Sequence, residues 1–144
     1  MTQRSKSTLF LIEQLIVIAV FAICAAACIN ILTAAFFISN NTSAEDHAIL
    51  RAESAAEVFK ATGGDEGAVM SILGGTSGVR GGYPGVTVFY DTGWQNSSEE
   101  NASYVLHIGY RPTGISNSLV VAELTVDRIT GEGLVAFPLA ARAG

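Results

Sequence analysis

The sequence predicts an α+β protein. A long N-terminal helix, half in a membrane and half amphipathic, packs on a C-terminal antiparallel sheet of about four strands. Three observations predict this. An apolar run fills residues 9–38, apolar residues at three-and-four spacing follow it, and period-two alternation of β-branched and aromatic residues fills the C-terminal part. The 144 residues are 49% hydrophobic and 15% charged, with a mean hydropathy of +0.40, well above that of an ordinary soluble domain. That much apolar surface excludes disorder as the main state. The net charge of -5 argues against direct binding of nucleic acid, which needs Lys and Arg. Two cysteines exclude a disulfide framework and a four-thiolate zinc site.

The elements follow in order. Residues 1–8 form a short basic leader carrying Arg4 and Lys6. Leu9 to Ile38 contains no Lys, Arg, Asp, Gly or Pro. Thirty residues reach about 45 Å at helical rise, more than the ~20 residues that a bilayer requires. Arg4 and Lys6 precede the run, and Glu45 and Asp46 follow it. The positive-inside tendency therefore places the N-terminus in the cytoplasm and the C-terminal part outside the cell membrane. Two cleaved alternatives exist: a signal-peptidase site at Ala25-Ala26-Ala27, or a lipoprotein site ending at Cys28. Both require the apolar run to give way to polar sequence, yet it continues through Ile29, Leu32, Phe36 and Ile38.

Residues 39–62 read as an amphipathic extension. Ile49, Ala52, Ala56 and Phe59 make the inward stripe, with Arg51, Glu53, Glu57 and Lys60 off it. Thr42 followed by Glu45 resembles a capping box, so 39–43 is a place for a kink or a restart. Gly63-Gly64 ends the helix. Residues 63–85 hold nine of the fifteen glycines. They read as loop, with one short helix near Glu66 to Leu73. From 86 to 144 the texture is strand: Val86 to Asp91, Ser103 to Arg111, Ser118 to Arg128 and Leu134 to Leu139. Tyr104, Leu106, Ile108 and Tyr110 share one face; so do Val120, Ala122, Leu124 and Val126, against Glu123, Thr125 and Asp127. Asp91-Thr92-Gly93 and Thr130-Gly131-Glu132 are turns. Short connections make an antiparallel meander the economical arrangement.

Glu13 is the one charged residue within the span. A carboxylate in hydrocarbon costs about 2.5–3.5 kcal/mol at the midplane and less near the interface, so Glu13 calls for a partner or a route to the headgroups. The segment Leu9-Phe10-Leu11-Ile12-Glu13, behind a basic leader, resembles the class III signal of type IV pilins and pseudopilins. The resemblance covers about thirty residues by motif and the remainder by architecture. It implies a processing junction between Thr8 and Leu9, and a register role for Glu13 against the free amine of a neighbouring subunit. It further implies a prepilin peptidase, an assembly platform and other pilin-like subunits as partners, beside membrane lipid. Thr8 stands where the family has glycine, and a β-branched residue there restricts the backbone, which predicts retention of the leader. Ala19, Cys24 and Cys28 read as small residues that let another helix approach.

Other motifs carry less. Gly63-Gly64-Asp65-Glu66 imitates a cyclic-dinucleotide synthase signature, but the remaining chain is too short for that domain. Gly74-Gly75-Thr76-Ser77-Gly78 lacks the lysine of a P-loop. His47 and His107 have no ligand spacing and read as ordinary surface or sheet residues. Asn96-Ser97-Ser98 and Asn101-Ala102-Ser103 match glycosylation sequons but read as a polar loop. No catalytic, cofactor-binding or metal set is legible, so the expectation is a non-enzymatic subunit of a type IV pilus or type II secretion-type filament, and a minor one. The competing expectation is a single-pass protein whose small extracellular domain binds a partner without polymerising.

Overall fold

The computed structural model describes residues 2–112 and 118–143, with side chains from residue 5 onward; the Arg4 side chain of the leader lies outside them. Helix α1 spans Thr2–Ala61 and α2 spans Glu66–Leu73. Strands β1 (Thr76–Arg80), β2 (Tyr83–Tyr90), β3 (Tyr104–Arg111), β4 (Leu119–Arg128) and β5 (Gly133–Arg142) follow. The chain divides into two units, residues 1–42 and 43–144.

In the first unit every described side chain is exposed, including all of Leu9 to Ile38. The segment is long and apolar enough to cross a membrane, with a mean hydropathy of 2.9 over its most apolar window. Residues 39–43 are helical throughout, so the helix does not restart there and Thr42 does not act as a cap.

In the second unit the five strands form one antiparallel sheet in the order β1-β2-β3-β4-β5. The final part of α1 covers one face of it. The predicted inward stripe needs one correction: Ile49 is 44% exposed. Ala44, Ala48, Ala52, Ala55, Ala56 and Phe59 are the buried positions. Alanine allows a helix to approach a sheet closely, and an isoleucine on that line would hold it off. The opposing sheet residues are those the alternation predicted. Leu106, Ile108, Ala122, Leu124 and Val126 are fully buried, joined by Val86, Val88 and Tyr90. Phe59 anchors the end of α1 against Tyr110, with ring centroids 5.9 Å apart.

Gly63 and Gly64 end α1 at φ 64° and 79°, and the Gly64 amide donates to the Phe59 carbonyl at 2.9 Å. The short predicted helix is α2, capped by Asp65, whose carboxylate accepts from the Ala68 amide at 2.7 Å.

The loop expected through residue 85 is instead partly sheet. It contains β1 and the start of β2, which makes five strands rather than four. Gly81 and Gly82, at φ 59° and 84°, form the two-residue turn between Arg80 and Tyr83. Two consecutive positive φ values are the requirement of the tight hairpin turn, and Gly-Gly meets it. Pro84 is tolerated in β2 because pairing with β3 begins only at Gly85.

Candidate functional site

The residues that sequence reasoning singled out all lie on α1 in the first unit. Thr8, Leu9, Glu13, Ala19, Cys24 and Cys28 are exposed, and both thiols are free. At about 100° per helical residue, Glu13, Val17, Val20 and Cys24 fall on one face, with Cys28 close by. Ile16, Val17, Val20, Phe21 and Cys24 outline a shallow apolar hollow on that face. Ala19 lies well away from it, about 140° around from Cys24. The helix therefore puts Glu13 on the same face as Cys24, but it does not gather the three small residues into one stripe.

A second constellation lies on the sheet face away from α1, and sequence reasoning did not assemble it. Paired residues share a face, so Thr87, His107 and Thr125 make one row across β2, β3 and β4, and Gly85, Gly109 and Glu123 make the next. Over these rows sits a cavity of about 280 Å³. Its floor is His107 and Gly109. Arg80, Gly81 and Tyr83 of the hairpin form one wall; Glu123, Thr125 and Asp127 of β4 form the other.

His107 is 4% exposed, and both ring nitrogens are engaged. Nε2 lies 3.2 Å from the Tyr83 carbonyl oxygen and Nδ1 lies 2.9 Å from Thr87 Oγ1. A carbonyl only accepts, so Nε2 carries the proton and Nδ1 accepts from the Thr87 hydroxyl. Burial holds the His107 pKa below the ordinary histidine value, although the Tyr83 carbonyl opposes the shift. The imidazole is thus a neutral brace between β2 and β3. Gly109 makes room for it: a Cβ there would stand 2.9 Å from the Tyr83 Cβ and 3.2 Å from His107 Nε2.

Asp127 is placed differently. Its neighbours across the sheet are Val105 on β3 and Gly133 on β5, and neither offers a side chain that can pair with a carboxylate. A register shift at Val126/Asp127 skips Leu134 and brings Gly133 opposite. Burial raises the Asp127 pKa, and the positive field of Arg80 only partly offsets it. Arg80 lines the same cavity, yet no ion pair joins the two among the described residues. Glu123 is paired with Arg111, whose guanidinium lies 5.2 Å from the centroid of the Tyr83 ring.

Elsewhere in the second unit, Trp94 stacks on Tyr104 at 4.1 Å between centroids, and Arg51 donates to the Trp94 carbonyl. Trp94 holds φ 59°, fixed by Asp91, whose carboxylate accepts from the Gly93 and Gln95 amides at 2.8 and 3.0 Å. That carboxylate is used by its own turn. No group of three or more His, Cys, Asp or Glu is placed to hold a metal ion among the described residues.

The polar cavity was missed because Glu123, Thr125 and Asp127 alternate with core residues and read as a solvated face. Glycines at 78, 85 and 109 on that same face were the available signal, since glycine inside a strand marks close approach. Comparison with protein-family models, with curated proteins and with solved structures finds no match to this chain.

Proposed function

We propose that the protein is a pilin-like or pseudopilin-like subunit, a minor member of a type IV pilus or type II secretion-type filament. One observation carries the reading. An apolar helical segment, exposed along its whole length, holds a single carboxylate, Glu13. An exposed apolar surface of this extent needs lipid or other helices around it, and a lone carboxylate there needs a cation or a route to the interface. The resemblance of Leu9-Phe10-Leu11-Ile12-Glu13 to the pilin signal supplies both: lipid before assembly, neighbouring helices after it, and for Glu13 the free amine of a processed neighbouring subunit, since Thr8 predicts that this chain keeps its own leader. In this reading the N-terminus is cytoplasmic and the second unit is extracytoplasmic. The protein works by association and not by catalysis.

Glu13→Ala tests this. Oxidative crosslinking of the chain through Cys24 and Cys28 to its neighbours, copies and other subunits alike, reports helix contact in native membranes. Loss of a charge-assisted contact of about 1.5–3 kcal/mol is expected to lower crosslinked species roughly tenfold or more. The amount of protein in the membrane fraction should not fall, because the variant span is more apolar. Equal crosslinking in Glu13→Ala and parent would remove the register role. It would favour a single-pass protein that binds an external partner without polymerising.

A further inference from the structure

We propose that the cavity between the β1–β2 hairpin and β4 is a binding site for a neutral saccharide unit. The chemistry of its walls carries the proposal. Arg80 presents donors only and Asp127 presents acceptors only. They line the cavity from opposite sides without meeting. Left to themselves, a cation and a carboxylate that feel each other's field would be expected to pair. Here the register seats Asp127 between Val105 and Gly133, and Arg80 belongs to the hairpin on the far side of β3. A ligand that bridges them must accept from one wall and donate to the other. A sugar hydroxyl does both with the same atom, and adjacent hydroxyls repeat the pattern.

The charge balance excludes simpler ions. Glu123 is neutralised by Arg111, so Arg80 and Asp127 leave the cavity near zero net charge. An anion would meet Asp127 and a cation would meet Arg80, each unpaired. Peptide docking is the other neutral candidate, but peptide recognition relies on apolar side-chain pockets or a free strand edge. The cavity is lined by no aliphatic side chain, and it lies on the sheet face and not at an edge. Its volume of about 280 Å³ is at the lower end for ligand pockets and suits one ring rather than a chain. The elevated pKa of Asp127 fits a partly desolvated carboxylate that no ion pair joins. Thr125 and the Tyr83 ring complete the walls; His107 is already engaged by the fold and acts as floor.

The test is amide NMR of the isotope-labelled full chain in dodecylphosphocholine micelles, a detergent without a sugar headgroup. D-glucose, D-galactose, D-mannose and N-acetyl-D-glucosamine are titrated separately to about 50 mM, enough to fill a millimolar site. At least one is expected to give saturable shifts centred on the amides of Arg80, Gly81, Gly109, Thr125 and Asp127. Asp127→Asn should raise the dissociation constant about tenfold or more through loss of charge-assisted hydrogen bonds. Glu57→Gln, an exposed change on α1, should leave it unchanged. The proposal is overturned if none of the four sugars gives saturable shifts, or if Asp127→Asn binds as well as the parent. It is also overturned if triglycine amide or inorganic phosphate moves these amides and the sugars do not.

Discussion

At Asp127 the register sets a carboxylate between strand neighbours, Val105 and Gly133, that cannot pair with it, and stability should record the cost. Its pKa is raised in the folded protein, so the fold binds this proton more tightly than the unfolded chain does. Stability from this group then falls as pH rises from the unfolded value of 3.8 through the folded one, and the penalty is complete above that window. Asp127→Asn removes it. We expect the variant to be more stable than the parent at pH 7, and the difference to vanish as pH drops below the unfolded value. Thermal unfolding of both chains across that range checks this; a variant less stable at pH 7 would mean that Asp127 has a stabilising partner. Such a cost would fit a residue kept for binding at the expense of stability. His107, by contrast, is fully engaged and braces two strands.

At the scale of elements, the decisive feature is which line of α1 residues meets the sheet. Ala48, Ala52 and Ala55 have no exposed surface, so no space remains for a larger side chain. Ala52→Leu is expected to cost about 1–3 kcal/mol through overpacking. Ile49→Ala, at a position 44% exposed and off the buried line, should cost less than Ala52→Leu, about 0.5 kcal/mol. Chemical denaturation of the two variants separates the contact line seen here from the one that hydrophobicity alone suggests. If Ile49→Ala were the costlier, the stripe would run through Ile49. The β1–β2 hairpin matters to function at the same scale, because its tip carries Arg80 and Tyr83 to the cavity wall.

For the whole molecule, the division at residues 42 and 43 implies that the second unit carries its own core. Its buried residues all come from Ala44 onward, and none belongs to the apolar run. A fragment of residues 43–144 is therefore expected to be soluble and to unfold cooperatively, as a domain with a single core does. Circular dichroism during thermal unfolding checks it. A non-cooperative melt, or a fragment that remains insoluble, would show that the core depends on the first unit. Shortening α1 removes none of the alanines that meet the sheet, so the covering helix survives the cut.

Much of this protein is determined by sequence alone, because its strongest signals are local. Thirty apolar residues, an alternation of period two and a Gly-Gly helix stop are properties of neighbouring residues, and each appears in the fold where the pattern lies. The short helix at Glu66–Leu73 and the antiparallel meander were legible for the same reason. The strand at Thr76–Arg80 was not, because glycine weakens the strand signal and only pairing with β2 rescues it. Ile49 was misplaced because hydrophobicity ranks it above alanine, while close approach of helix to sheet ranks it below. The cavity was legible least of all. Arg80, His107 and Asp127 are separated by 27 and 20 positions in the chain, and no local pattern relates them. Sheet register alone decides that Asp127 faces Gly133 and not a partner, and that a hairpin tip from one end of the sheet closes over β3. Such placements depend on contacts between distant residues, and those exist only once the chain has folded.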